Sequence, residues 1–248
     1  MIFLEKIGLI PCAGRGSRLS LPFSKELFPN VYTSHYSPII LYTINALKKA
    51  GIDHLVITIN PQKVDILNYL GNGNQFGVKI SYCVHPKPLS LPHSINEAYH
   101  LIKDKIVVFS MPDTFVQPLD FLKTLLHVHQ KDETSEVTMA GFKTDNPTKF
   151  GMVEFSELTG KVKCINDKPI STNLKWMWGA MVWDPEFTEV LHQFIANESN
   201  TLSEKELILT DALKPLIIQN KVNLHCYDEG RYRDLGTYDE IKKWSKGE

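Results

Sequence analysis

An α/β fold, with a mixed, mostly parallel central sheet flanked by helices, is predicted by three features of the 248-residue sequence. Short apolar runs alternate with segments of helical periodicity through the first half, the pattern of strand–helix–strand crossovers. A glycine-rich loop follows the first run directly. The second half is more mixed and richer in strands.

Lys6 to Pro11 is short, apolar and bounded by the loop at Gly14 and Gly16, and reads as a buried strand. Ser37-Pro38 is expected to open a helix, with serine as the cap and proline in the first turn. Ile40, Ile44 and Leu47 then recur at helical spacing, and Gly51 closes the helix. Leu55 to Asn60 reads as the second strand, Lys63 to Leu70 as a short helix and Val78 to Val84 as the third strand. Ser94 to Ile102 reads as helix, Lys105 to Ser110 as a buried strand and Leu119 to Gln130 as helix. Beyond these, strands are expected at Val137 to Phe142, Met152 to Phe155, Val162 to Asn166, Met177 to Trp183 and Val222 to Tyr227. Helices are expected at Glu186 to Ala196, Glu204 to Gln219 and Tyr238 to Trp244. With no repeat, linker or low-complexity tract, residues 1–248 read as a single domain, long enough to bury a core without disulfide or metal staples.

Composition excludes several classes. Apolar residues make up 43% and charged residues 22%, values of a globular chain rather than a disordered or fibrous one. A net charge of −1 gives no bulk attraction to nucleic acid or anionic lipid. No apolar run approaches the roughly 20 residues that span a bilayer. Glu5 interrupts the N-terminal apolar run, so the chain reads as cytoplasmic. Cys12, Cys83, Cys164 and Cys226 are too widely spaced for a CxxC motif and read as buried free thiols.

The loop Cys12-Ala13-Gly14-Arg15-Gly16-Ser17-Arg18-Leu19 lets backbone N–H groups approach a phosphate or base, and Arg18 adds a fixed charge. It is neither a P-loop, which needs GxxxxGK with Ser or Thr, nor a dinucleotide loop, because Leu19 stands where the third glycine belongs. A plain structural turn would show the same GxG. Lys25, in a proline-flanked segment close by, is a second candidate phosphate ligand. Asp113 falls just past the end of an apolar strand, where open α/β sheets bind ligands. Asp234 precedes Gly236-Thr237 far along the chain. Each aspartate taken alone is compatible with a simple turn.

Together these segments resemble the sugar-phosphate nucleotidylyltransferases. Ala13 to Leu19 is similar to that family's AGxG(S/T)RL opening. Ser24-Lys25-Glu26-Leu27-Phe28-Pro29 looks most like glucose-1-phosphate thymidylyltransferases. Phe150-Gly151-Met152-Val153-Glu154-Phe155, Asp167-Lys168-Pro169 and Asp234-Leu235-Gly236-Thr237 resemble further motifs of the family, so that the likeness spans nearly the whole chain. The resemblance implies a nucleotide-diphospho-sugar transferase-like, Rossmann-like three-layer fold. It also implies transfer of a nucleotidyl group from a nucleoside triphosphate to a sugar-1-phosphate. In that scheme Arg18, Lys25 and Asp113 are catalytic, and Ala13, Gly14, Gly16 and Ser17 bind the nucleotide. Gly151, Asp167, Lys168 and Gly179 bind the sugar phosphate, and Asp113 and Asp234 hold Mg2+. A homo-oligomer is left open.

The sequence also departs from the family. Asp167 is one methylene shorter than the family glutamate. Ser90 to Glu97 stands where a glycine with small residues reads the base, leaving thymine, uracil and cytosine open; dTTP or UTP with a hexose-1-phosphate is favoured. His85 is a candidate for the base edge. Trp176, Trp178 and Trp183 read by default as core, with the wall of a sugar pocket as the alternative. Two other readings remain: a CTP-dependent cytidylyltransferase acting on a non-sugar phosphate, and a catalytically silent nucleotide-sugar-binding regulatory domain.

Overall fold

The structure is a computed structural model and describes residues 4–87, 89–198 and 206–247. The first half runs β1 (Lys6–Pro11), α1 (Ile40–Lys49), β2 (His54–Ile59), α2 (Val64–Leu70), β3 (Lys79–Val84), α3 (Leu91–Asn96), α4 (Tyr99–Ile102), β4 (Ile106–Ser110), β5 (Thr114–Gln117) and α5 (Phe121–Lys131). The second half runs β6 (Val137–Lys143), β7 (Gly151–Phe155), β8 (Val162–Asp167), β9 (Trp176–Trp183), α6 (Pro185–Glu198), α7 (Lys214–Ile218), β10 (Val222–Cys226), β11 (Arg231–Asp234) and α8 (Tyr238–Ser245).

The main sheet has the strand order β10-β6-β9-β4-β1-β2-β3, with β7 and β8 branching from β9. Strands β1 to β4 are mutually parallel. Strand β9 enters antiparallel between β4 and β6, and β10 is parallel to β6. Parallel strands need both faces covered, and the apolar runs supply side chains to both. In β1, Ile7 and Leu9 face one layer and Ile10 faces the other. The expected mixed, mostly parallel sheet is therefore present. A second sheet, the two-stranded antiparallel ribbon of β5 and β11, lies apart from it.

Some local expectations are corrected. Ser37 does not cap α1. Pro38 is held in a bridge with Pro29, and the Ile39 N–H bonds Phe28 O, so Ile39 rather than Ser37 takes the cap position and the helix starts at Ile40. The segment expected as one helix over 94–102 begins at Leu91, with Pro92 in its first turn, and breaks before Tyr99. Of the helix expected over 204–219, residues 204 and 205 lie outside the described residues. The remainder forms a 3-10 turn (Leu209–Asp211) and then α7, with Pro215 confined to the first turn of α7, where its missing N–H costs nothing. All four cysteines are free, but only Cys12 and Cys83 are buried. Cys164 is exposed and Cys226 half-buried.

A third apolar cluster joins the two ends of the chain. Leu19, Ile39, Leu235, Ile241 and Trp244 pack together, with Tyr42 and Phe115 against them. Thr237 caps α8, its side-chain oxygen accepting from the Glu240 N–H. The Tyr32 hydroxyl donates to Trp244 O. Trp244→Ala is expected to lower unfolding free energy by about 3–5 kcal/mol, measured by urea denaturation, because the indole is fully buried between these elements.

Candidate active site

The carboxyl ends of β1 to β4 open on one side of the sheet, and the glycine loop leaves β1 there. Gly16 adopts φ +65°, a left-handed conformation that glycine takes without strain, and the Leu19 N–H closes the turn onto Gly16 O at 3.2 Å. Leu19 is buried while Arg18 stays exposed, so the loop is anchored by its apolar member and offers its charge outward. Asn60, just past β2, donates from Nδ2 to Ala13 O at 2.7 Å.

Lys25 sits on a 3-10 turn, Lys25–Leu27. Asp65 fixes the start of that turn, accepting from the Ser24 N–H and Oγ, each at 2.6 Å. Behind it Lys63 Nζ bonds Glu26 Oε1 at 2.6 Å, both side chains buried. Burial pushes the Glu26 carboxyl up, and the Lys63 and Lys25 charges offset this only in part.

Lys25 Nζ also donates to Asp113 Oδ2. Burial works against the Lys25 charge, but the Asp113 and Glu26 carboxylates outweigh it and hold the ammonium above its ordinary value. Asp113 is brought to Asp234 by the ribbon: Asp234 pairs with Thr114, and the Leu235 N–H bonds Asp113 O at 2.9 Å. Burial and the neighbouring Asp113 charge push the Asp234 carboxyl up, against the pull of Lys25 and Arg18. Gly236 shows how closely these groups converge. A Cβ there would stand 2.8 Å from Asp234 Oδ1, 3.5 Å from Asp113 Oδ2 and 3.6 Å from Arg18 Nη2.

A cavity of about 480 Å³ collects most of the candidate residues: Arg18, Lys25, Asp113, Gly151, Asp167, Lys168, Gly179 and Asp234 all line it. A second cavity, about 650 Å³, is lined by Arg15, Gly16, Asn60, Lys63 and Lys87, and shares Lys25 with the first. Gly14 and Ser17 are exposed on the loop and Ala13 is buried beneath it, so these three stand outside the walls of both cavities. Gly151 pairs with Asp167 across β7 and β8. Lys168 follows in a left-handed conformation, φ +43°, with its N–H on Phe150 O at 2.9 Å. A non-glycine residue held there is strained, a condition that concentrates at functional sites.

The tryptophans divide. Trp183 is core, its Nε1 donating to Thr188 Oγ1 at 2.9 Å, whereas Trp178 lines the first cavity. Trp176 lies beneath Lys143 Nζ. His85 Nδ1 is engaged by Glu97 Oε2 at 3.0 Å, and the ring borders neither cavity. Sequence reasoning missed Tyr232, two residues before Asp234 and therefore on the same face of β11, and the Lys149–Glu240 ion pair at 2.5 Å beside the cavity. Strand alternation was the available signal for Tyr232; nothing local pointed to the ion pair.

A family model described as nucleotidyl transferase matches residues 7–247. The chain belongs to that family. Glucose-1-phosphate thymidylyltransferase of Neisseria meningitidis is 27% identical over 237 residues, covering 94% of this chain and 79% of the relative. A low-salt glycan biosynthesis nucleotidyltransferase of Haloferax volcanii is also 27% identical, covering 94% and 63%. A crystal structure of UDP-glucose pyrophosphorylase with UDP-glucose superposes with TM-score 0.80 at 19% identity, covering 98% of both chains. The expected nucleotide-diphospho-sugar transferase fold is thus present, and relatives in the family are named as sugar-1-phosphate nucleotidyltransferases. Among the described residues no helix is long and apolar enough to cross a membrane.

The buried Glu26–Lys63 pair supports the turn that carries Lys25. Lys63→Met strands a buried carboxylate and is expected to cost about 3–5 kcal/mol in chemical denaturation. Adding Glu26→Leu should recover most of that loss.

Proposed function

We propose that this chain, acting as one domain over residues 1–248 in the cytoplasm, transfers a nucleotidyl group from a nucleoside triphosphate, dTTP or UTP, to a hexose-1-phosphate. The observation that carries the reading is the convergence of two acids and two cations from distant segments, Asp113 and Asp234 with Lys25 and Arg18, on the cavity that also holds Gly151, Asp167 and Lys168. An acceptor phosphate oxygen attacks the α-phosphorus of the triphosphate. A new P–O bond forms, the α–β bridging bond breaks and pyrophosphate leaves. The nucleophile is already ionised, so no general base is required. Both reactants are anionic, and catalysis is charge neutralisation and alignment.

Each residue has a role that follows from its place. Lys25 borders both cavities, so its ammonium neutralises the α-phosphate where donor and acceptor meet. Arg18 faces the outer phosphates from the exposed side of the loop, and Gly16 lets the backbone approach the nucleotide, with Ala13, Gly14 and Ser17 completing the loop. Lys168 grips the acceptor phosphate from its strained position, Gly151 gives it room, and Asp167 accepts from a sugar hydroxyl. Gly179 leaves space beside the acceptor.

The two carboxylates also fit Mg2+, which takes one or two carboxylates along with phosphates and water. Among the described residues no group of three His, Cys, Asp or Glu is assembled to hold a metal without substrate. Asp113 and Asp234 would hold the ion, and when bound it supplies further neutralisation of phosphate charge.

Pyrophosphate release is to be measured with Mg2+ across nucleoside triphosphates, each against a panel of sugar-1-phosphates and phosphocholine. Turnover with one hexose-1-phosphate and dTTP or UTP is expected, lost on chelation. Asp113→Asn and Lys25→Met should each lower kcat by on the order of 10²–10³. Turnover only with CTP and phosphocholine would replace the sugar acceptor. Tight nucleotide-sugar binding without any release would make the chain a regulatory binder.

A further inference from the structure

The strand that crosses the acceptor cavity is irregular at one residue. Ala180 of β9 pairs with Ala140 of β6, but Trp178 pairs with Gly141, so Gly179 is an extra, unpaired residue, a β-bulge. Regular alternation would place Trp178 on the face of Ala180 and Val182. The bulge puts Met177 on that face and sends Trp178 to the layer of Met181 and Trp183. Gly179 has no room for a side chain: a Cβ would stand 2.6 Å from the Tyr232 ring.

Turned this way, the Trp178 indole lies over Gly151 at the cavity wall. A Cβ on Gly151 would stand 2.3 Å from Trp178 Nε1. That Nε1–H is buried and has no acceptor in the protein. An indole N–H is donor-only, and a buried donor left unpaired is a standing cost that an incoming oxygen relieves. The neighbouring Trp183, on the same strand and in the same layer, has its N–H satisfied by Thr188. Trp244 Nε1 is also buried without an acceptor, but it lies in the apolar cluster of α8, whereas the Trp178 indole borders the cavity.

We propose that Trp178 is an acceptor-selecting residue. Its ring forms a platform for the sugar, and its N–H donates to one sugar oxygen, a hydroxyl or an acyl carbonyl, on the edge that rests over Gly151. This assignment rests on the sugar-1-phosphate reading above. It implies discrimination against acceptors that lack this one oxygen, since a site that has already dehydrated a donor rejects a ligand unable to pair it.

The test is Trp178→Phe, which keeps a ring and deletes the N–H, assayed on the best sugar-1-phosphate and its monodeoxy analogues. kcat/KM for the parent acceptor is expected to fall about tenfold with the KM for the nucleoside triphosphate unchanged. One monodeoxy analogue, the one missing the bonded oxygen, should be used equally by wild type and variant, while the others fall as the parent does. Site-specific replacement of Trp178 by benzothienylalanine, which exchanges the N–H for sulfur at nearly constant shape, should give the same pattern and serves if Trp178→Phe does not fold. An equal loss across every analogue would overturn the proposal, leaving a packing role, and so would no loss at all. A wild-type protein that turns over phosphocholine and no sugar-1-phosphate would overturn the underlying reading, and this assignment with it.

Discussion

The site depends on one backbone arrangement, the pairing of β11 with β5. Neither strand belongs to the main sheet, and both are only four residues long. Their ladder, extended by the bond from Leu235 to Asp113, sets the second acid beside the first. A ribbon this short is marginal by itself. It is held by what it carries on either side: Phe115 and Leu235 contribute to the cluster around Trp244, and Tyr232 packs against Phe142 and Phe150. The chemistry of the site is thus supported by apolar contacts that take no part in it.

The second constraint is electrostatic. Burial first, and then repulsion from Asp113, push the Asp234 carboxyl above its ordinary value. Lys25 relieves the repulsion by pairing with Asp113, and Glu26 and Lys63 form a deeper pair below. The arrangement stays near neutrality with cations and anions alternating. On the function proposed above, it accepts phosphates by exchanging internal partners for ligand partners, rather than by creating charge in a dry place.

Much of the parallel half was legible because buried strands in such sheets are short apolar runs ended by a glycine or a polar residue, and β1, β2 and β4 all have that form. The remaining elements were obscured for identifiable reasons. Strand β5 is four residues between an aspartate and a proline, too short for alternation to register. Ser37-Pro38 has the composition of a helix start, yet antiparallel pairing of Pro38 with Pro29 overrides it. Within the site, the loop residues and Lys25 could be suspected from chemistry alone. The meeting of Asp113 and Asp234 was expected only from family resemblance, since nothing local in a sequence says that two distant turns will meet. The orientation of Trp178 was beyond pattern reading, because a single unpaired glycine reverses which face the alternation assigns to it.

The cluster of Leu19, Ile39, Leu235, Ile241 and Trp244 has a temporal meaning as well as a spatial one. During synthesis the glycine loop and the first acid emerge early, together with most of the parallel sheet. The residues that bring Asp234 to Asp113 and pack against Leu19 belong to β11 and α8 and emerge after all of these. A nascent chain can thus build much of its framework before the long-range contacts that close the cavity can form. The glycine loop is thus made well before the apolar partners that secure it.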